Sequence, residues 1–182
     1  MSDEDLPAMG SPIDTGVLKR FASTISQESL GLVNHAPESW AQPMQCLQNV
    51  LQKVSRDGGR EIYGWVFLPR FSPQYGSYLI ATHHAVWSAV GSTGGGDITP
   101  FHENPKHRPY SPRGGVLFLL DDAAKPKKIG HAMAPLASRF FPATDDPKLV
   151  AYIESLRSNE HAACQKLYEG ALAAHLSSQR PH

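Results

Sequence analysis

Three residues in this chain have the types and order needed for nucleophilic chemistry: Cys46, His84 and Asp97, spaced 38 and then 13 residues apart. Cys46 follows Gln42-Pro43-Met44-Gln45 at the expected start of a helix. His84 lies in the apolar run Tyr78–Val90, which reads as a strand. Asp97 opens Asp97-Ile98-Thr99-Pro100, directly after Gly94-Gly95-Gly96. A thiol is mostly protonated at neutral pH, with a pKa of about 8.5, and only the thiolate attacks carbonyl carbon. A helix N-terminus offers unpaired N–H groups and the positive end of the dipole, and a neighbouring imidazolium adds a full charge. A carboxylate beyond the histidine orients the ring and stabilises its charged form. The predicted unit is a cysteine nucleophile triad.

Each member also has a plain structural reading. A free cysteine packs as a small hydrophobe. An aspartate after a glycine run commonly turns the chain. His83 competes with His84, but alternation along a strand sends the two to opposite faces. Only one of the two can therefore face Cys46, and the other is a supporting or surface residue. Trp65 and Trp87 read as core. Cys164 stands three residues after His161 on the last helix, and two residues do not make a metal site. His102, His107 and His131 match no zinc spacing, and the Gly94–Gly96 run lacks the Lys-Ser/Thr of a phosphate loop.

The elements that must position the triad follow from pattern. Residues 1–14, with Pro7, Gly10 and Pro12, read as a flexible tail, and residues 15–182 as one domain. Val17–Ile25 reads as a short helix and Leu30–Ala36 as a connection. Leu47, Val50, Leu51 and Val54 recur at helical spacing within a helix over 43–55, which Asp57-Gly58-Gly59 ends. Strands are expected over 60–68, 78–90 and 114–120, with polar turns between them and another over 121–128. The core spans about 40–121. Asp145-Asp146-Pro147 starts a C-terminal helical part over 145–176, with Ser158-Asn159 as a kink. Helix, strands and a closing helix make an α+β order, with an antiparallel sheet expected to pack on the cysteine-bearing helix.

At these residues the chain resembles the papain-like superfamily and, within it, the transglutaminase-like branch. The matching segments are Met44-Gln45-Cys46, His84-Ala85-Val86-Trp87 and Asp97-Ile98-Thr99-Pro100; Gly58 to Trp65 is similar to the strand that precedes the histidine there. Met44 stands where that branch usually has glycine, Leu47 where an aromatic residue often follows the cysteine, and Val86 is inserted before Trp87. The resemblance covers about residues 40–100 and implies a papain-like core with the Cys46-His84-Asp97 triad. It further implies amide, peptide or ester chemistry: thiol protease, amidase, or transglutaminase-type acyltransferase. Arylamine N-acetyltransferases have a similar order and spacing. The Cys46 N–H would serve the oxyanion, with Gln45, Gln42 or Trp40 as the second donor and His83 in support. No cofactor or metal is required.

Composition narrows the partners. Lys+Arg and Asp+Glu both total 17, so no global field draws the chain to nucleic acid or an anionic membrane. No apolar run reaches the length of a membrane span, and the acidic N-terminus lacks a signal-peptide core. Two cysteines make no disulfide framework, so a cytoplasmic setting is expected. The loop Pro100–Arg113 is expected to border the cleft, with His102, Lys106 and Arg108 as substrate-binding residues that favour acidic groups. Two alternatives use the same residues: a non-catalytic binding module on this fold, or a metal-dependent hydrolase built from His83, His84, Asp97 and His102. The expected partner is a peptide or amide-containing substrate, and the pattern carries no oligomeric state.

Overall fold

In the computed structural model, the described residues are 14–130 and 132–178. The chain is α+β, with a mixed sheet and a C-terminal helix. Element order is α1 (Thr15–Ser23), β1 (Leu30–His35), α2 (Cys46–Asp57), β2 (Arg60–Ser72), β3 (Gly76–Ser88) and β4 (Gly96–Asp97). Two 3-10 turns, Pro105–His107 and Pro112–Gly114, lead into β5 (Gly115–Leu120). Short strands β6 (Lys127–Ile129), β7 (Ala132–Ala134) and β8 (Arg139–Pro142) precede α3 (Pro147–Ser178). Asp14 caps α1 by accepting the N–H groups of Gly16 and Val17. The rest of the expected tail, and His131, lie outside the described residues. No described helix is long and apolar enough to cross a membrane.

The sheet is not the open antiparallel layer that the element order suggested. Strands pair in the order β2-β5-β1-β4-β3, and β2 pairs again with β3, so these five close on themselves as a small barrel; β8 adds to the outer edge of β3. The β1–β4 pair is parallel. Closure removes free edges and gives every strand an inside and an outside. Leu30–His35, expected as a connection, is the strand that makes closure possible, lying between β5 and β4. Its side chains are half-buried or exposed, so it lacks the clean alternation by which a strand is read. Strand β2 is also longer than expected, and β3 begins and ends two residues earlier. Pro69 continues β2 opposite Leu79, and the hairpin closes at Ser72 and Gly76.

Alternation sorts the barrel. Ile62, Val66, Leu68, Val86, Val116 and Phe118 pack inside. The opposite faces of the same strands carry Trp65, Phe67, Leu79, Ala81, Leu117 and Leu119, which α1 covers with Val17, Leu18 and Phe21. Leu47 and Val50 of α2 cover Ala85 on that outer side. Burying each such side chain contributes about 1.5–3 kcal/mol. Gly64 lies between Leu120 and His84 on the inner face. A Cβ there would stand 2.1 Å from the Leu119 carbonyl oxygen, so the close approach of β2 to β5 demands glycine. Helix α3 runs unbroken through Ser158-Asn159, contrary to the expected kink, and buries Leu149 and Ile153 against Tyr78 and Phe140.

Candidate active site

Cys46 is the first residue of α2, and its helix packs on the outside of the barrel; His84 and Asp97 point inside. They meet at a gap in the wall. Strand β8 pairs with β3 only as far as Ala81, and β4 pairs with it only at Trp87. Between those points the edge of β3 is taken by the start of α2, where the Ala85 N–H bonds to the Cys46 thiol. A hydrophobic face therefore brings the Cys46 thiol to this gap.

The three side chains are in contact and buried: Cys46 is 9%, His84 8% and Asp97 1% exposed. His84 Nε2 lies 3.1 Å from Asp97 Oδ1. The approach is off the axis of a well-directed hydrogen bond, so this nitrogen is held by charge rather than alignment. Cys46 and His84 stand close enough for each to shift the other's titration. Burial pushes the Cys46 thiol up, but the His84 charge, the close approach of its ring and the Ala85 N–H outweigh it. The thiol ends below its usual range despite an opposing push from Asp97. Burial pulls His84 down; the charges of Cys46 and Asp97 and the close approach of both side chains hold it well above the usual histidine value. The thiol is thus shifted toward the thiolate and the ring toward the imidazolium.

Two residues that pattern reading missed hold this arrangement. The buried Asn49 side chain donates to the Gln42 carbonyl (2.8 Å) and to Thr99 Oγ1 (3.2 Å), and accepts the Gln42 N–H (3.1 Å). It clamps the segment before α2 to the segment after β4. His35 bonds through Nε2 to the Thr99 carbonyl (3.0 Å) and stacks on Phe101 with ring centroids 3.8 Å apart. Thr99 in turn donates its N–H to Asp97 Oδ1 at 3.0 Å, the physical content of the Asp-x-Thr spacing. Asn49 had no visible signal beyond a polar residue on an apolar helical face. Met44 holds φ of 62°, a left-handed conformation costing a non-glycine residue about 1–2 kcal/mol. Its replacement of a usual glycine was the available sign.

The remaining expected residues divide. Gln45 precedes α2 without capping it, Gln42 is tied through its backbone to Asn49, and Trp40 packs beside Cys46 under the Arg56 guanidinium. None of the three lines the cavity beside the thiol. His83 touches the cavity, but its ring is turned to the outer layer, where Nε2 bonds the Ala124 carbonyl (2.6 Å) and Nδ1 accepts the Leu136 N–H (3.2 Å). It is therefore no oxyanion donor, and it cannot join His84, Asp97 and His102 around a metal. Among the described residues, no three His, Cys, Asp or Glu side chains are grouped to hold one.

A cavity of about 150 Å³ opens beside Cys46 and His84. The loop after β4 borders it as expected, through Pro100, Phe101, His102, His107 and Pro109. The loop's cations do not. Arg108 donates to the His102 and Glu103 carbonyls and fastens the loop to itself. Lys106 also stands outside the lining, its carbonyl accepting from Arg70. Comparison of the chain with family models, curated proteins and solved structures finds no match.

Proposed function

We propose that this protein is a cysteine-dependent acyl-transfer enzyme, acting on an amide, peptide or ester, on a core of the papain-like, transglutaminase-like type. The observation that carries the reading is the buried contact of Cys46, His84 and Asp97 at a helix start, with thiol and imidazole shifted toward the ion pair. Cys46 attacks the carbonyl carbon, and its own N–H, free at the helix start, faces the developing oxyanion. His84 then protonates the leaving group. With Nε2 beside Asp97, Nδ1 is the nitrogen left for the thiol and the proton transfer. Water or an amine resolves the thioester, giving hydrolysis or transfer.

The chain contains its own control. Burial and the Glu160 carboxylate hold the Cys164 thiol above its usual range. At pH 6, iodoacetamide should label Cys46 at least about tenfold faster than Cys164, read by peptide mass spectrometry. Equal, slow labelling of both would remove the nucleophile and leave a binding module.

A further inference from the structure

We infer that the cavity beside Cys46 is an acyl pocket for an uncharged, apolar group about the size of a phenyl ring or a five-to-six-carbon chain. The enzyme would therefore act on esters or amides of such acids and not on carboxylate-bearing substrates. This rests on the acyl-transfer reading above.

The cavity runs from the thiol into the barrel, where Val66 and Leu68 form its inner wall and Phe101, Pro100 and Pro109 its outer one. Thr82 is the polar residue within the barrel wall itself. At about 150 Å³ it matches in size an apolar cavity that accepts benzene. The rim is polar and holds no lysine or arginine. His102 and His107 meet edge to face, with ring centroids 4.9 Å apart. His102 Nδ1 accepts the Asn104 N–H at 2.9 Å. Burial, then His102, Arg70 and Lys106, keep the His107 ring below its usual value. Lys106 and Arg108, the cations that favoured acidic substrates in the sequence, are not in the lining. A carboxylate entering this space would be desolvated against aliphatic carbon and beside the Asp97 carboxylate, with no lysine or arginine in the lining and the His84 ring already held by Asp97.

The acyl side is assigned to the pocket by the order of events. The thiolate adds to the carbonyl, the C–S bond forms, and the C–O or C–N bond breaks with its electron pair leaving on oxygen or nitrogen. The leaving group must depart, and water must reach the thioester carbon, while the acyl group remains attached. Water then gives its hydroxyl to that carbon and its proton to the Cys46–His84 pair, and the C–S bond breaks to release the acid. A half-enclosed pocket suits the piece that stays.

The test is a series of p-nitrophenyl esters: acetyl, butyryl, hexanoyl, phenylacetyl and succinyl. Acylation of Cys46 is followed by nitrophenolate release and by the mass of the thioester. Each rate is divided by the rate of the same ester with 2-mercaptoethanol. Hexanoyl and phenylacetyl should exceed acetyl by about 10–10²-fold, and succinyl should fall below butyryl, its uncharged counterpart. Val66→Phe, which fills the pocket, should lower the phenylacetyl-to-acetyl ratio at least about tenfold; Leu68→Ala should shift the preference toward longer chains. A flat series, a preference for succinyl, or a preference that follows the leaving group instead would each overturn the assignment, with acylation itself intact. Failure of every ester to acylate a Cys46 that iodoacetamide labels quickly would overturn it too. Slow labelling of Cys46 would instead defeat the acyl-transfer reading beneath it.

Discussion

His83 and His84 are neighbours in sequence, yet the wall of the barrel gives them opposite chemistry. His83 faces the outer layer between Tyr63 and Trp65, with both ring nitrogens bonded to backbone groups. Burial dominates there and lowers its pKa, so the ring is kept neutral. His84 faces inward beside a thiol and a carboxylate, and their charges overcome its desolvation. Both rings are buried. Burial alone therefore does not predict the state of a histidine; the charge of what it is buried against does.

The largest way to break that contrast is to delete each ring. His84→Ala should lower acyl transfer by about 10²–10⁴-fold, the range for loss of a positioned acid–base group, and should slow Cys46 labelling toward the Cys164 rate. His83→Ala should leave labelling fast and cost about 1–3 kcal/mol of stability for each backbone group left unpaired, measured by urea denaturation. Fast labelling in His84→Ala would move the activation of the thiol to the helix start alone.

Asn49→Ala separates the ring from the scaffold that presents it. Losing three buried hydrogen bonds should cost about 2–4 kcal/mol and lower acyl transfer by less than His84→Ala does. Stability loss with unchanged kinetics would make Asn49 a fold residue only.

The two histidines also predict two pH responses. With Cys46 lowered and His84 raised, Cys46 labelling should fall less steeply than Cys164 labelling as pH is brought down from about 8 to 6. It falls as the thiolate takes a proton. Cys164 should instead rise about tenfold per pH unit across that range. For His83 the sign differs. Its folded pKa lies below its unfolded value of about 6.5, so its contribution to stability is present above that value. That contribution is lost as pH falls through the folded pKa. The drop in melting temperature between pH 7 and pH 5 should shrink in His83→Gln.

The smallest expected effect is at Met44. Met44→Gly relieves about 1–2 kcal/mol of left-handed strain and gives back about 0.5–1 kcal/mol in unfolded-chain entropy. Stability should change by less than about 1.5 kcal/mol. A loss of Cys46 labelling in this variant would show that the strained turn helps aim the thiol.

Helix α2, the hairpin strands β2 and β3, and the α+β class were legible because each has a repeating apolar period with a stop signal, such as Asp57-Gly58-Gly59. The order Cys46, His84, Asp97 was legible because residue type alone limits what can act as nucleophile, base and orienting group. The opposite placement of His83 and His84 followed from strand alternation. Strand β1 was hidden because its residues are only half-buried, and Asn49 because its partners come from Gln42 and Thr99. Closure of the barrel is a pairing between strands distant in sequence, which no local pattern encodes. The same is true of the gap between β8 and β4, and of the cavity behind it that turns Lys106 and Arg108 out of the lining. Local sequence determined which groups exist and which face of an element each occupies. Only the tertiary structure decided which faces meet, because long-range contact and the dielectric and charge around a buried group are properties of the assembled chain.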